Sequence, residues 1–410
     1  MRNYFCIINL NHIKMRKSTF LKARVLGLGF LMGSLAFTAC SDSDPVGPDE
    51  DSSFELIRDD FQGDINDGDV VLESGTYKLT GKVVVRNGAT LTIKPGVIIE
   101  ATDISATRQE IRYIGVAQGG KINVEGSATS PVVMTSTTKT PGAWGGLVIC
   151  GRAPINRGTT ASAEVSDLTY GGTVANDNSG SIKYLRIEYS GYSYNSEKEF
   201  NGLSFFGVGS GTTVEYVQSL DGSDDAFEWF GGTVNARYLV ALNTSTAVVG
   251  DDIFDWTEGW NGTGENWYGK RTNAGNRGIE ADNNSSNHAA TPLSNPTIKN
   301  MTLIGAGAVG SEPQAIKMRV GTNGNFDNIV LSNWSTGFDI QHDESLAFVT
   351  AGTLKATNVR FDNVTTKSKG SSTAGAAVDV SRLFTENANA TGAGNGVNAP
   401  TWTQGWTVGL

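Results

Sequence analysis

IKYLRI (182–187), VEYVQS (214–219), ARYLVA (236–241), IKNMTL (298–303), FDNIVL (326–331) and ATNVRF (356–361) are one short strand written repeatedly. Each has an apolar residue at its first and fourth positions, and all align on the third: Tyr184, Tyr216, Tyr238, Asn300, Asn328 and Asn358. Successive third residues lie 32, 22, 62, 28 and 30 positions apart, and the interval of 62 has room for one further copy. Repetition at that period is the mark of a solenoid, in which each strand stacks on its equivalent in the next turn.

A second series interleaves with the first: GLSF (202–205), AFEW (226–229), IFDW (253–256), GIEA (278–281), AIKM (315–318), GFDI (337–340) and AVDV (377–380). Period-two alternation puts its second and fourth residues inside the coil and its third outside. A sandwich has no reason to repeat residue types at matched positions. The expected fold is therefore all-β, a parallel β-helix of roughly ten coils stacked at about 4.8 Å per rung. The Asn series should form an amide ladder and the Tyr series an aromatic stack. KVVV (82–85), TLTI (90–93), VII (97–99), KINV (121–124) and VVMT (132–135) extend the same pattern toward the N-terminus. TWTQGW (401–406) echoes WTEGW (256–260) and is expected to cap the open end.

Composition agrees with this reading. Glycine at 51 residues, against 10 prolines and 18% charged residues, fits tight turns between short strands. Residues 1–39 hold Arg2, Lys14, Arg16, Lys17, Lys22 and Arg24 and no acid, so the remainder carries 26 basic against 42 acidic residues, a net of −16. Such a body repels nucleic acid, which is not an expected partner, and suits neutral or basic ligands and divalent cations.

From Met15, a basic segment leads into the apolar run VLGLGFLMGSLAFTA and then Cys40, the layout of a secretory signal. The FTAC ending resembles a bacterial lipobox, which implies acylation of Cys40 and an outer-membrane lipid anchor. Phe37 stands where leucine is more usual. Residues 1–39 are thus read as signal, 40–60 as an acidic tether, and 61–410 as the β-helix domain. The SDSD tract after Cys40 resembles the export signal of surface lipoproteins in Bacteroidota, which implies the cell surface. Cys150, within LVIC (147–150), reads as a small buried apolar side chain.

ATLTIKPGVIIEA (89–101), GKINVEGSATSPVVMTS (120–136), WGGLVICGRAPIN (144–156), NGLSFFGVGSGTTVEYVQ (201–218) and DDAFEWFGGTVNARYLVA (224–241) resemble right-handed parallel β-helix lipoproteins of Bacteroidota. So does DDIFDWTEGW (251–260). The resemblance covers nearly all of residues 75–345. It implies a pectin-lyase-like coil and an extracytoplasmic site, and little about activity.

Chemistry is sought first in the outward residues of the second series: Ser204, Glu228, Asp255, Glu280, Lys317, Asp339 and Asp379. Carboxylates one rung apart repel by roughly 1 kcal/mol in water-like surroundings and ~3 kcal/mol at an effective dielectric of 20. A cation, a raised pKa or a basic ligand relieves that repulsion. Asp224, Asp225, Asp251 and Asp252 thicken the cluster, and an all-oxygen set with Glu228 and Asp255 suits Ca²⁺. The plainer alternative is a solvated acidic face, or aspartates capping turns.

Catalysis would draw on Asp225, Glu228, Asp252 and Asp255 as acid, base or nucleophile. A lyase base would come from Lys270, Arg271, Arg277, Lys317 or Arg319. The Gly-His-Gly and Arg-Ile-Lys pairing of polygalacturonases is absent, and IKMR (316–319) is only a loose echo. Trp260, Trp267 and Tyr268 form a candidate sugar platform, with Glu280 and Asp339 as candidate ligand contacts. Against this, the aromatic segment also reads as a packed loop, with Trp256 pointing inward. The leading expectation is a non-catalytic surface lipoprotein whose β-helix binds glycan. A Ca²⁺-dependent polysaccharide lyase or glycoside hydrolase is the alternative, and a structural subunit of an outer-membrane assembly a third.

Overall fold

The computed structural model describes residues 52–105, 109–195, 198–247 and 249–410. The signal segment, Cys40 and most of the tether lie outside the described residues. Residues 52–60 do not behave as tether: Ser53 bonds Asp67 through backbone and hydroxyl, and Phe54 packs edge-on against Phe61 at 6.2 Å. The first coil recruits the chain that enters it.

Among the described residues the strands form one 23-stranded sheet and a separate two-stranded one. The first series pairs parallel from Gly180–Glu188 through Thr213–Leu220, Asn235–Asn243, Thr263–Arg271, Thr297–Ile304 and Asn325–Gln341 to Lys355–Ser371. The copy left room for by the 62-residue interval is Thr263–Arg271, with Asn266 in the aligned position. The second series pairs in register from Leu203–Phe206 through Phe227–Phe230, Phe254–Thr257, Ile279–Ala281 and Gln314–Met318 to residues 336–340. The fold is a parallel β-helix.

The aligned third residues have a conformational cause. Tyr184, Tyr216, Tyr238, Asn266, Asn300, Asn328 and Asn358 all adopt left-handed φ values of 53–58° and drop out of the strand pairing, so each makes the corner of its coil. Asparagine tolerates that conformation. Tyrosine does so at a cost of roughly 1 kcal/mol. Ring stacking at 4.4 Å along Tyr184, Tyr216 and Tyr238 offsets it by about the same amount. The amide ladder is partial: Asn328 donates to Asn300 at 2.8 Å, but Asn358 turns instead to Asp327.

Inside the coil, Phe227, Phe254, Ile279, Ile316 and Phe338 form one buried row and Phe205, Trp229, Trp256, Ala281, Met318 and Ile340 another. Trp260 and Trp267 belong to this core, each with no exposed surface, stacked on Trp229 and donating to the carbonyls of Val234 and Ala236. Tyr268 is 2% exposed. The expected sugar platform on these rings is thereby overturned, and the packed alternative holds.

Two further expectations change. AVDV (377–380) is not a rung of the second series: Ala377–Val378 pairs antiparallel with Gly370 and Ser371, and Asp379 is exposed, bonding Ser381. The rung after Phe338-Asp339 is Ser368-Lys369. TWTQGW (401–406) does not cap the end of the coil. Its Trp406 meets the edges of Tyr184 and Tyr216, Trp402 packs on Tyr238, and Val408 exchanges two hydrogen bonds with the Gln218 side chain. The tail lies back along the tyrosine corner. Leu346 and Val349 of helix Asp343–Ala351, with Val380 and Leu383, complete the core at the C-terminal coils instead.

Candidate functional site

Strict register turns sequence positions into columns. Glu228, Asp255, Glu280, Lys317 and Asp339 stand one above another on the outward side of the second series. Just before those strands, Asn201, Asp225, Asp252 and Arg277 form a parallel column. One reason for aspartate there is local: Asp225 Oδ1 accepts the backbone N–H of Asp252 at 2.7 Å, and Asp252 Oδ1 accepts that of Arg277 at 2.5 Å. The turn-capping alternative is thus correct for one oxygen of each carboxylate. Asp252 Oδ2 is taken by Arg277 at 3.1 Å, and the second oxygen of Asp225 is left to be explained.

A groove of 530 Å³ opens over these columns, bordered by Asp224, Asp225, Glu228, Asp251 and Asp255. Glu164 also lines it, brought in by the segment between Cys150 and Gly180, which contains the hairpin of Ala161–Ser162 and Thr169–Tyr170. That segment packs Val165, Leu168 and Tyr170 against Val148, Phe206 and Phe230 in an apolar cluster outside the coil. Glu164 and the hairpin had no signal in the repeat pattern, because they interrupt it.

The acids divide into overlapping sets whose oxygens come within 4.8 Å of one another: Asp224, Asp225 and Asp251; Asp225, Glu228 and Asp255; Asp252, Asp255 and Glu280. In the first two sets little offsets the charge. Glu228 accepts from Asn201 at 2.5 Å, Asp225 uses only Oδ1, and Asp255 makes no hydrogen bond or ion pair among the described residues. Asn201, 2% exposed, keeps its own Oδ1 unpartnered. Burial, reinforced by neighbouring carboxylates, pushes Asp224, Asp225, Glu228 and Asp255 well above the ordinary carboxyl range. Burial also raises Glu164 and Asp252 to about 7, with Lys198 opposing the shift at Glu164 and Arg277 at Asp252.

Higher on the column the picture reverses. Arg277 pairs with Asp252 at 3.1 Å, with Glu280 at 3.0 Å, and with Glu312. Lys317 lies 3.2 Å from Glu312, Arg319 reaches Glu280 at 2.9 Å and Asp282 at 2.7 Å, and Lys369 reaches Asp339 at 3.1 Å. Of the expected site residues, Asp224, Asp225, Glu228, Asp251, Asp252 and Asp255 converge. Glu280, Lys317 and Asp339 are tied up in ion pairs, and Asp379 is elsewhere. Arg271, a candidate base, is 1% exposed and turned to the carbonyls of Gly250 and Asp251, so it does not reach a ligand in the groove.

The chain's residues 63–407 match the pectate-lyase-like β-helix domain, and the protein belongs to that family. No curated protein and no solved structure matches it.

Proposed function

We propose that this protein is a non-catalytic glycan-binding β-helix, displayed at the outer membrane through acylated Cys40, whose acidic groove holds sugar together with a divalent cation. The observation that carries this reading is the lower acid cluster, closely spaced and with no salt bridge to Asp225, Glu228 or Asp255 among the described residues, although Lys198 lines the groove and Arg319 acts on Asp255 from a distance. Oxygens around one Ca²⁺, each 2.3–2.6 Å from the ion, fall within roughly 5 Å of one another. One oxygen each of Asp225, Glu228 and Asp255 lies within 4.8 Å of the others, inside that limit. The donors are all oxygen, and free oxygens remain on Asp225 and Asp255. These residues, with Asp224 and Asp251, would hold the ion; bound there, it would neutralise the groove and offer open positions to sugar hydroxyls or carboxylates.

Catalysis is less well supported by the same geometry. Acid–base pairs are recognised by environments that push two titratable groups apart. Here Asp224, Asp225, Glu228 and Asp255 are all pushed upward, and none of them is held low to serve as base or nucleophile.

A glycan array with and without Ca²⁺, run beside assays for reducing ends and unsaturated products, tests the proposal. The expected result is Ca²⁺-dependent retention of glycan without turnover. Turnover that disappears in an Asp225/Glu228/Asp252/Asp255 alanine variant would replace this reading with the enzyme.

A further inference from the structure

Glu312 sits between the helical turn Gly307–Val309 and strand Gln314–Met318. Its side chain is 42% exposed, yet it rests on two cations that are not: Arg277, 6% exposed, and Lys317, 10% exposed. The backbone around it is fixed, with Ser311 N–H donating to Ala274 O at 3.1 Å and Gln314 N–H to Glu312 O at 2.9 Å. Against the cost of partial burial, Arg277 and Lys317 hold the Glu312 carboxyl below its usual range. Ser311, its immediate neighbour, lines the acidic groove together with Asn276.

This is an uncommon distribution of charge. Buried cations are costly to leave bare, whereas an exposed carboxylate exchanges its partners for water at little cost. Arg277 is also held by Asp252 and Glu280, and Lys317 by Glu280 at 3.8 Å, so the cations are built in whether or not Glu312 is there, and the anion above them is replaceable. We propose that Arg277 and Lys317 form an anion subsite at the edge of the groove, that Glu312 is its resident carboxylate, and that a carboxylate or sulfate ester on a glycan exchanges with it. The inference rests on the glycan-binding reading for its ligand but not on the cation. The guanidinium offers paired N–H donors matched to a planar carboxylate or two sulfate oxygens, and the ammonium a second point of charge.

Calorimetry in cation-free buffer tests it, with an oligogalacturonate, a sulfated oligosaccharide and a neutral oligosaccharide as probes. Glu312→Ala removes the internal competitor and should tighten binding of one or both anionic probes at least tenfold, with the neutral probe unmoved. Whichever anionic probe gains identifies the group that the seat prefers. Adding Lys317→Met to Glu312→Ala should erase the gain. Glu312→Gln, which keeps the side-chain volume, serves in place of Glu312→Ala if the alanine variant melts early. No gain for either anionic probe, or an equal gain for the neutral one, overturns the proposal. A parallel Ca²⁺ titration of the wild type reads the groove separately: its failure would remove the cation from the groove and leave this seat standing.

Discussion

Two outward columns climb the same coil at the same rung spacing and treat charge in opposite ways. On the first series, Lys183, Glu215, Arg237, Glu265, Lys299 and Asp327 lie in strict register and alternate in sign at every step. Glu215 is shared between Lys183 at 3.7 Å and Arg237 at 2.5 Å. On the second series, Glu228, Asp255 and Glu280 follow one another with the same sign, and among the described residues the lower two make no salt bridge, Arg319 acting on Asp255 only from a distance. The alternating column shows that nothing in the fold forbids neutralising a stack of charges. The like-charged one is relieved instead by carboxyls pushed well above their ordinary range, and under the proposal above by a divalent cation.

The most disruptive way to break this contrast is to impose alternation on the acidic column. Asp255→Lys would place a cation between Glu228 and Glu280. In chelator at pH 8 it should raise stability by about 2 kcal/mol, from repulsion of ~3 kcal/mol per adjacent pair at an effective dielectric of 20 less the cost of seating the lysine. Affinity for Ca²⁺ should fall at least a hundredfold, and denaturant melts with calorimetry read both.

The pH dependence sharpens the contrast without mutation. Carboxyls whose folded pKa is raised stabilise the fold fully below their unfolded values, and that contribution is lost as pH climbs through the folded ones. Glu164 and Asp252 place part of this loss near pH 7, and the more strongly raised Asp224, Asp225, Glu228 and Asp255 extend it upward. Without divalent ions the melting temperature should decline from pH 5 to pH 8, and Ca²⁺ should restore it at pH 8 while doing little at pH 5. A flat profile in chelator would mean that the acids are already neutralised by something else.

The smallest effect belongs to the alternating column. Glu215→Lys creates three cations in a row, yet Lys183 and Arg237 are about half exposed. Screening should hold the loss to roughly 0.5–1 kcal/mol, fading in high salt.

How much of this was legible beforehand follows from what repeats. The left-handed corner demands Asn or a stacked Tyr once per coil, so the register could be read directly from residues such as Tyr216 and Asn328. Thr263–Arg271 escaped because Gly264, Glu265 and Asn266 look like loop, although Asn266 falls 28 residues after Tyr238 and 34 before Asn300. With that coil missed, Trp260 and Trp267 looked like rings on an excursion instead of core. The lower acid cluster was visible because it lies on the repeat. Glu164, which lines the groove, and Glu312 were not, since they arrive from insertions whose path depends on packing, and Arg319 was legible only as a candidate base and not as a partner of Glu280 and Asp282. Residues 401–410 lie off the strand repeat, and the indole contacts with the tyrosine corner and the Val408–Gln218 hydrogen bonds show where they go.

Titrating Ca²⁺ into the metal-free protein at pH 7.5, with Glu228→Gln/Asp255→Asn as the comparison, decides whether the acidic groove is a cation site. The wild type should bind saturably, the double variant at least a hundredfold more weakly, and the variant should melt no lower than the wild type in chelator. Equal Ca²⁺ affinity in the two proteins, or none in either, would contradict a cation site there.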